Sequence, residues 1–85
     1  MKNFIKVYTS SSCIHCKNLK EWLAQNHIVY TEKNVEENPE YHLELLKYKS
    51  LGLPFTVITD NKTNKVNKVL GFNQKKLTKL LFDLQ

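Results

Sequence analysis

Short apolar runs rich in β-branched residues alternate along this chain with stretches of helical period. The first run, Phe4-Ile5-Lys6-Val7-Tyr8, is β-branched and aromatic and predicts a buried strand. Thr9 to Ser12 is a polar loop, and Ser12 has the side chain of a helix N-cap. From about Cys13 to Asn26, Leu19, Trp22, Leu23 and Asn26 recur at three- and four-residue spacing, which predicts an amphipathic helix that His27 ends. Ile28 to Asn34 predicts a second strand. Asn38-Pro39-Glu40 opens a second helix: Asn38 caps it, Pro39 takes a position whose N–H has no partner anyway, and Glu40 suits the positive end of the dipole. Tyr41, Leu45 and Tyr48 mark one face of that helix, with Leu43 and Leu46 beside it, and Gly52 punctuates the connection to the third strand. Pro54 opens that strand, Phe55 to Thr59; Asp60-Asn61-Lys62 turns; Val66 to Leu70 is a fourth. The close spacing of the last two strands predicts an antiparallel hairpin. Gly71 is a turn residue, and Asn73 caps a last helix through Leu77, Leu80, Leu81 and Leu84.

The order is therefore strand, helix, strand, helix, strand, strand, helix. The opening strand–helix–strand predicts a right-handed parallel unit, and the hairpin with its closing helix completes a layered α/β sandwich. A chain of 85 residues has room for one domain, taken as residues 1–85, with a small core. Hydrophobic residues at 41% and charged residues at 25% are ordinary for a globular domain. No run approaches the roughly 18 apolar residues of a membrane span, and no secretory pattern is visible, so a cytoplasmic location is expected. The net charge of +5 is unevenly placed: Glu32 to Glu44 holds five Glu and one Lys, whereas Asn61 to Gln85 holds six Lys and one Asp. That polarity is read either as a solvated surface or as steering toward an acidic partner protein. The absence of arginine and of any aromatic–basic motif argues against nucleic-acid binding.

Two cysteines are too few for a disulfide-stapled scaffold. Cys13-Ile14-His15-Cys16 instead lies directly after a strand and loop, at a helix start. Thiolate is the attacking species in disulfide exchange, and the unpaired N–H groups and dipole of a helix N-terminus stabilise it, lowering a thiol pKa from about 8.5 into the range of roughly 3.5–7.5. Cys13 is favoured as the nucleophile; Cys16 lies one turn deeper. Their spacing puts the Cβ atoms about 5–6 Å apart. A disulfide needs roughly 3.5–4.5 Å, so a small adjustment of the first turn lets the pair open and close. A redox-active Cys13–Cys16 disulfide is thus expected without any further cofactor. Ile14 and His15 set the local geometry. His15 is read either as a cation favouring the Cys13 thiolate or as a solvent-facing side chain. A metal site would need His27 and His42, whose spacing, C-x2-C-x10-H-x14-H, does not fit a zinc finger, so no metal is expected. Asn61-Lys62-Thr63 matches a glycosylation sequon that means nothing without a secretory route.

Four segments in register carry a resemblance: Ile5-Lys6-Val7-Tyr8-Thr9, Cys13-Ile14-His15-Cys16, Leu53-Pro54-Phe55, and Gly71-Phe72-Asn73-Gln74-Lys75-Lys76-Leu77. Together they resemble the glutaredoxin-like branch of the thioredoxin superfamily over nearly the whole chain. The resemblance implies the thioredoxin fold, a four-stranded mixed sheet with three helices, and thiol–disulfide oxidoreductase activity. Ordinary glutaredoxins carry a Gly-Gly-x-Asp turn before the last helix, which holds glutathione; NrdH-redoxins carry Gly-Phe-x-Pro. Gly71-Phe72-Asn73-Gln74 lacks the second glycine and the aspartate and is similar to the NrdH-redoxin turn, with Gln74 replacing its proline. That likeness implies a monomeric dithiol carrier recharged by thioredoxin reductase and serving ribonucleotide reductase. The alternatives are a glutathione-dependent glutaredoxin and a metal-binding or adaptor domain of the same fold. It also implies that Pro54 is cis and borders the cysteines, with the Leu53 backbone open to an incoming chain. Lys49 and Lys47 precede that loop, facing a carboxylate or solvent. Tyr8 either shelters the cysteines or belongs to the core. Phe72, beside Gly71, either offers a partner an apolar contact or packs under the last helix.

Overall fold

The computed structural model describes residues 3–82. Its elements are β1 (Asn3–Thr9), α1 (Ile14–Gln25), β2 (Thr31–Asn34), α2 (Pro39–Lys47), β3 (Phe55–Asp60), β4 (Val66–Leu70) and α3 (Gln74–Phe82). The four strands form one sheet in the order β2-β1-β3-β4. β2 runs parallel to β1, while β3 is antiparallel to both β1 and β4. The parallel unit, the hairpin and the mixed sheet of the thioredoxin fold are as the sequence predicts.

Alternation along β1 decides which layer each residue joins. Ile5 and Val7 face one side, where they pack with Ile58 and Val69 against Leu19 and Leu23 of α1 and Leu77 of α3. Tyr8 faces the other side and packs with Phe55, Val57 and Leu45 of α2. Two helices thus cover one face and a single short helix the other. In the first core, Thr56 is a fully buried residue whose Oγ1 has no hydrogen-bond partner among the described residues. An unpaired buried hydroxyl costs about 1–3 kcal/mol. Thr56→Val, which keeps the shape, is therefore expected to raise stability by about 1 kcal/mol in denaturant melts; a loss of stability would show that the hydroxyl is satisfied.

Helix ends follow local chemistry. Asn38 caps α2 by accepting from Glu40 N at 2.9 Å, and Pro39 opens the helix. Asn73 accepts from Lys76 N at 3.0 Å at the start of α3. His27 ends α1 in the left-handed region, φ 58°, with its N–H on Ala24 O at 3.1 Å. Three expectations need correction. The N-cap of α1 is Cys13, not Ser12: its sulfur accepts from Cys16 N. Thr9 belongs to β1 rather than to the loop. The second strand starts at Thr31, not Ile28, because Ile28 and Tyr30 pack onto the α1-side core instead of entering the ladder, which opens at the Lys6–Thr31 pair. Leu84 lies outside the described residues.

Candidate active site

The cysteines sit at the C-terminal end of β1, on a loop held from several directions. Thr9 is fully buried and donates its hydroxyl to Glu32 Oε2 at 2.8 Å, while Thr9 O accepts from Val35 N at 2.8 Å. Ser11 N donates to Glu36 Oε1, and Asn34 Nδ2 donates to Ser11 Oγ, both at 3.2 Å. The β1–α1 loop is thereby tied to the β2–α2 turn before the helix begins.

Cys13 has extended backbone, φ −94° and ψ 111°, as an N-cap requires. Its Sγ accepts from Cys16 N at 3.1 Å. An N–H that would otherwise be unpaired at the helix start is thus aimed at the sulfur, the geometry that favours a thiolate. Cys16 is fully buried, whereas Cys13 is half-buried. The two are joined as a disulfide across a Cα–Cα distance of 5.2 Å. An attacking or incoming group reaches Cys13 first. Beside it lies a groove of about 390 Å³ walled by Ser10, Ser11, Lys17, Lys20 and Glu37.

The Leu53–Pro54 peptide bond is cis. Phe55 pairs with Tyr8, so this bond lies at the same end of the sheet as the cysteine loop. Pro54 O accepts from Gly71 N at 2.8 Å, which fastens the turn before α3 to it. Gly71 has φ +80°, a conformation that favours glycine; a Cβ there would meet nothing within 4 Å, so backbone rather than space sets the requirement.

The other predicted site residues separate. Ile14, 58% exposed, and His15 face solvent on the first turn of α1. Leu53 is half-buried against the Tyr8 cluster. Lys49 is exposed, with φ 58° just past α2. Tyr8 takes the core alternative: it is fully buried and its hydroxyl donates to Glu44 Oε1 at 2.7 Å. Phe72 likewise packs, its ring 6.2 Å from that of Trp22. Among the described residues no three His, Cys, Asp or Glu side chains converge as a metal site would need. No described helix is long and apolar enough to cross a membrane.

Two ion pairs flanking the site were not legible in the sequence. Lys20 Nζ lies 2.8 Å from Glu32 Oε2 on the α1 side, and Lys33 Nζ lies 2.9 Å from Glu44 Oε1 on the α2 side. Strand alternation sends Glu32 and Lys33 to opposite faces, and that alternation was the signal available. Burial would raise the Glu32 pKa, but hydrogen bonds from Lys20 and Thr9 outweigh it and hold it below its ordinary value of 4.5. Hydrogen bonds from Tyr8 and Lys33 hold Glu44 below the same value. Burial, then the bond to Glu44, pushes Tyr8 above its ordinary 10.0.

These shifts give opposite signs at the two ends of the pH scale. Depressed carboxylates stabilise the fold above their unfolded pKa, and that contribution is lost as pH falls through the folded values. The raised tyrosine stabilises below its unfolded pKa and loses that contribution as pH rises beyond it. Stability is expected to be flat from about pH 6 to 9 and to fall on both sides, and Glu44→Gln should flatten the acid limb. An acid limb unchanged in that variant would remove Glu44 from the account.

The glutaredoxin family model matches residues 5–62, well over half of the chain, and the chain belongs to that family. The fold and the helix-capping cysteine pair are those of a thiol–disulfide oxidoreductase. Among relatives, the glutaredoxin-like protein NrdH of Lactococcus lactis subsp. cremoris is 38% identical over 37 residues, 44% of this chain and 51% of that protein. The global transcriptional regulator Spx 1 of Bacillus cereus is 36% identical over 61 residues, 68% of this chain and 47% of that protein. The matches thus span about half the length of these curated relatives. Among solved structures, the thioredoxin-like protein BC3987 is 33% identical with a TM-score of 0.72, covering 91% of this chain and 99% of that one. The glutaredoxin-like NrdH-redoxin from Escherichia coli, 22% identical with a TM-score of 0.75 over 89% of this chain and 92% of that one, shares the fold.

Proposed function

We propose that this protein is a cytoplasmic dithiol electron carrier of the NrdH-redoxin kind, reducing protein disulfides, with ribonucleotide reductase as its target and thioredoxin reductase as its source of electrons. The observation that carries the reading is the half-buried Cys13 capping α1, with Cys16 buried behind it. The Cys13 thiolate attacks a substrate disulfide; one substrate sulfur bonds to Cys13 and the other leaves as a thiolate. Cys16, giving up its proton, attacks Cys13 Sγ, the second substrate thiol departs, and Cys13–Cys16 is left oxidised. Two electrons pass to the substrate in each cycle. The NrdH relatives and the turn Gly71-Phe72-Asn73-Gln74 support thioredoxin reductase over glutathione, since that turn lacks the second glycine and aspartate of a γ-glutamyl site.

The test monitors NADPH oxidation with this protein as sole carrier to a model disulfide. One arm contains thioredoxin reductase, the other glutathione with glutathione reductase. Turnover in the first arm alone is expected. Turnover in the second alone would move the protein to the glutathione-dependent glutaredoxins, and turnover in neither would end the carrier reading.

A further inference from the structure

Lys6 stands where strand logic asks for an apolar side chain. It lies in the middle of β1, a central strand, on the face covered by α2. α2 is only 9 residues long and leaves a pocket of about 270 Å³ between itself and the sheet. Lys6, Tyr8, Lys33, Glu44, Lys47 and Tyr48 line it, and none of these lines the groove beside Cys13. Lys6 Nζ donates to Tyr48 Oη at 3.1 Å and lies 5.4 Å from the centre of the Tyr48 ring and 6.0 Å from that of Tyr8. From the other edge of the sheet, Lys68 Nζ reaches within 5.8 Å of the same Tyr48 ring.

The charges here do not balance. Among the described residues Glu44 is the pocket's one carboxylate, and it is already taken by Lys33 and the Tyr8 hydroxyl. Lys6, Lys47 and Lys68 form no ion pair among the described residues. Lys6 feels the charge of Glu44 only from beyond contact and shares it with Lys33, so its half-buried ammonium has no anion touching it, and ring faces compensate that only in part. Because Tyr48 Oη accepts from Lys6, its own proton is free to be donated. We propose that this pocket binds a small phosphate monoester, held by the Lys6 ammonium, the Tyr48 hydroxyl and Lys47, with the Lys68 ammonium adding its charge from beside the Tyr48 ring.

The donor set selects this chemistry. Three ammonium groups and a hydroxyl ask for several acceptors and more than one negative charge. A phosphate monoester offers three oxygens and a charge near −1.5 to −2 at about neutral pH, where a carboxylate offers two oxygens and one charge. The volume exceeds that of a lone phosphate and admits a compact organic group. The proposal rests on none of the cysteine chemistry and stands or falls apart from it.

Isotope-labelled protein titrated with inorganic phosphate tests it, against sodium chloride at matched ionic strength and against succinate at equal concentration. Phosphate is expected to give saturable shifts at Lys6, Tyr48 and the end of α2, and a higher Tm than chloride gives. Lys6→Met, which keeps the apolar stem, should weaken binding at least about tenfold, and Tyr48→Phe less. Shifts that chloride reproduces would overturn the proposal, as would an unchanged Kd in Lys6→Met. Equal binding of succinate would overturn the phosphate assignment. If Lys6→Met proves poorly folded, Lys47→Met at the exposed side of the pocket decides: weaker binding supports the site, and an unchanged Kd removes it.

Discussion

Cys13→Ser is expected to lower disulfide reduction by at least about a thousandfold, because it removes the cysteine sulfur that an incoming disulfide can reach. The substitution is unusually clean for a helix terminus. Serine is a stronger N-cap than cysteine, so its hydroxyl can take over the bond from Cys16 N while the nucleophile is lost. The variant should melt no lower than the reduced wild type, which separates chemistry from folding. Cys16→Ser behaves differently. Its sulfur is fully buried and acts second, so attack by Cys13 still proceeds and the mixed disulfide accumulates. Mass spectrometry of that variant with a model disulfide should show one covalent adduct per chain, and none in Cys13→Ser. Placing a hydroxyl in the buried position costs about 1–3 kcal/mol, so a lower Tm is expected there as well. Adducts on Cys16 instead of Cys13 would reverse the assigned roles.

The parts of this site that could be read from the sequence are those that local chemistry decides. Asn38-Pro39-Glu40 and Asn73 announce helix starts because each satisfies orphan N–H groups by itself. The alternating apolar residues of β1 and β3 announce strands because one register buries them. The cap of α1 was not legible in the same way. Ser12 has the preferred chemistry, but ties from Glu36 and Asn34 to Ser11 set the loop's course and deliver Cys13, not Ser12, to the helix end. The short β2 has a similar origin. Ile28-Val29-Tyr30 has strand-like composition, yet the left-handed turn at His27 directs Ile28 and Tyr30 into the core and leaves Val29 88% exposed.

Charge was the least legible layer. The sequence separates an acidic segment from a lysine-rich one, but the sheet order puts them to different uses. β2 carries Glu32 and Lys33 at one edge, where each finds an opposite charge on a different helix, 12 and 11 residues away in sequence. β4 carries Lys68 at the other edge, where it finds the Tyr48 ring instead. In the sequence Lys6 is one residue of a buried strand, and its cationic surroundings appear only when β1, α2 and β4 are brought together. Pairings that cross layers depend on topology, which spacing along the chain does not encode.

Leu19→Ala is expected to be strongly destabilising. Leu19 is fully buried on α1 and packs in the cluster that joins β1, β3, β4 and α3. Truncating a buried leucine removes its transfer free energy and leaves a cavity, together about 2–5 kcal/mol. A chain this small has a margin of roughly 5–15 kcal/mol at most, and each kcal/mol moves Tm by about 4–8 °C. A fall in Tm of roughly 8–40 °C in circular-dichroism melts is therefore expected. Leu46→Ala on α2 serves as the control: Leu46 is 55% exposed, and its loss should cost no more than about 0.5 kcal/mol. The comparison also reaches the site. α1 is capped by the Cys13 sulfur and carries Leu19 less than two turns on, so loosening this contact frees the helix end that orients Cys13. Reaction of Cys13 with a thiol reagent should slow in reduced Leu19→Ala even well below its Tm, as the N–H that favours the thiolate loses its fixed aim. A rate equal to wild type would mean that the first turn of α1 keeps its geometry without the core beneath it.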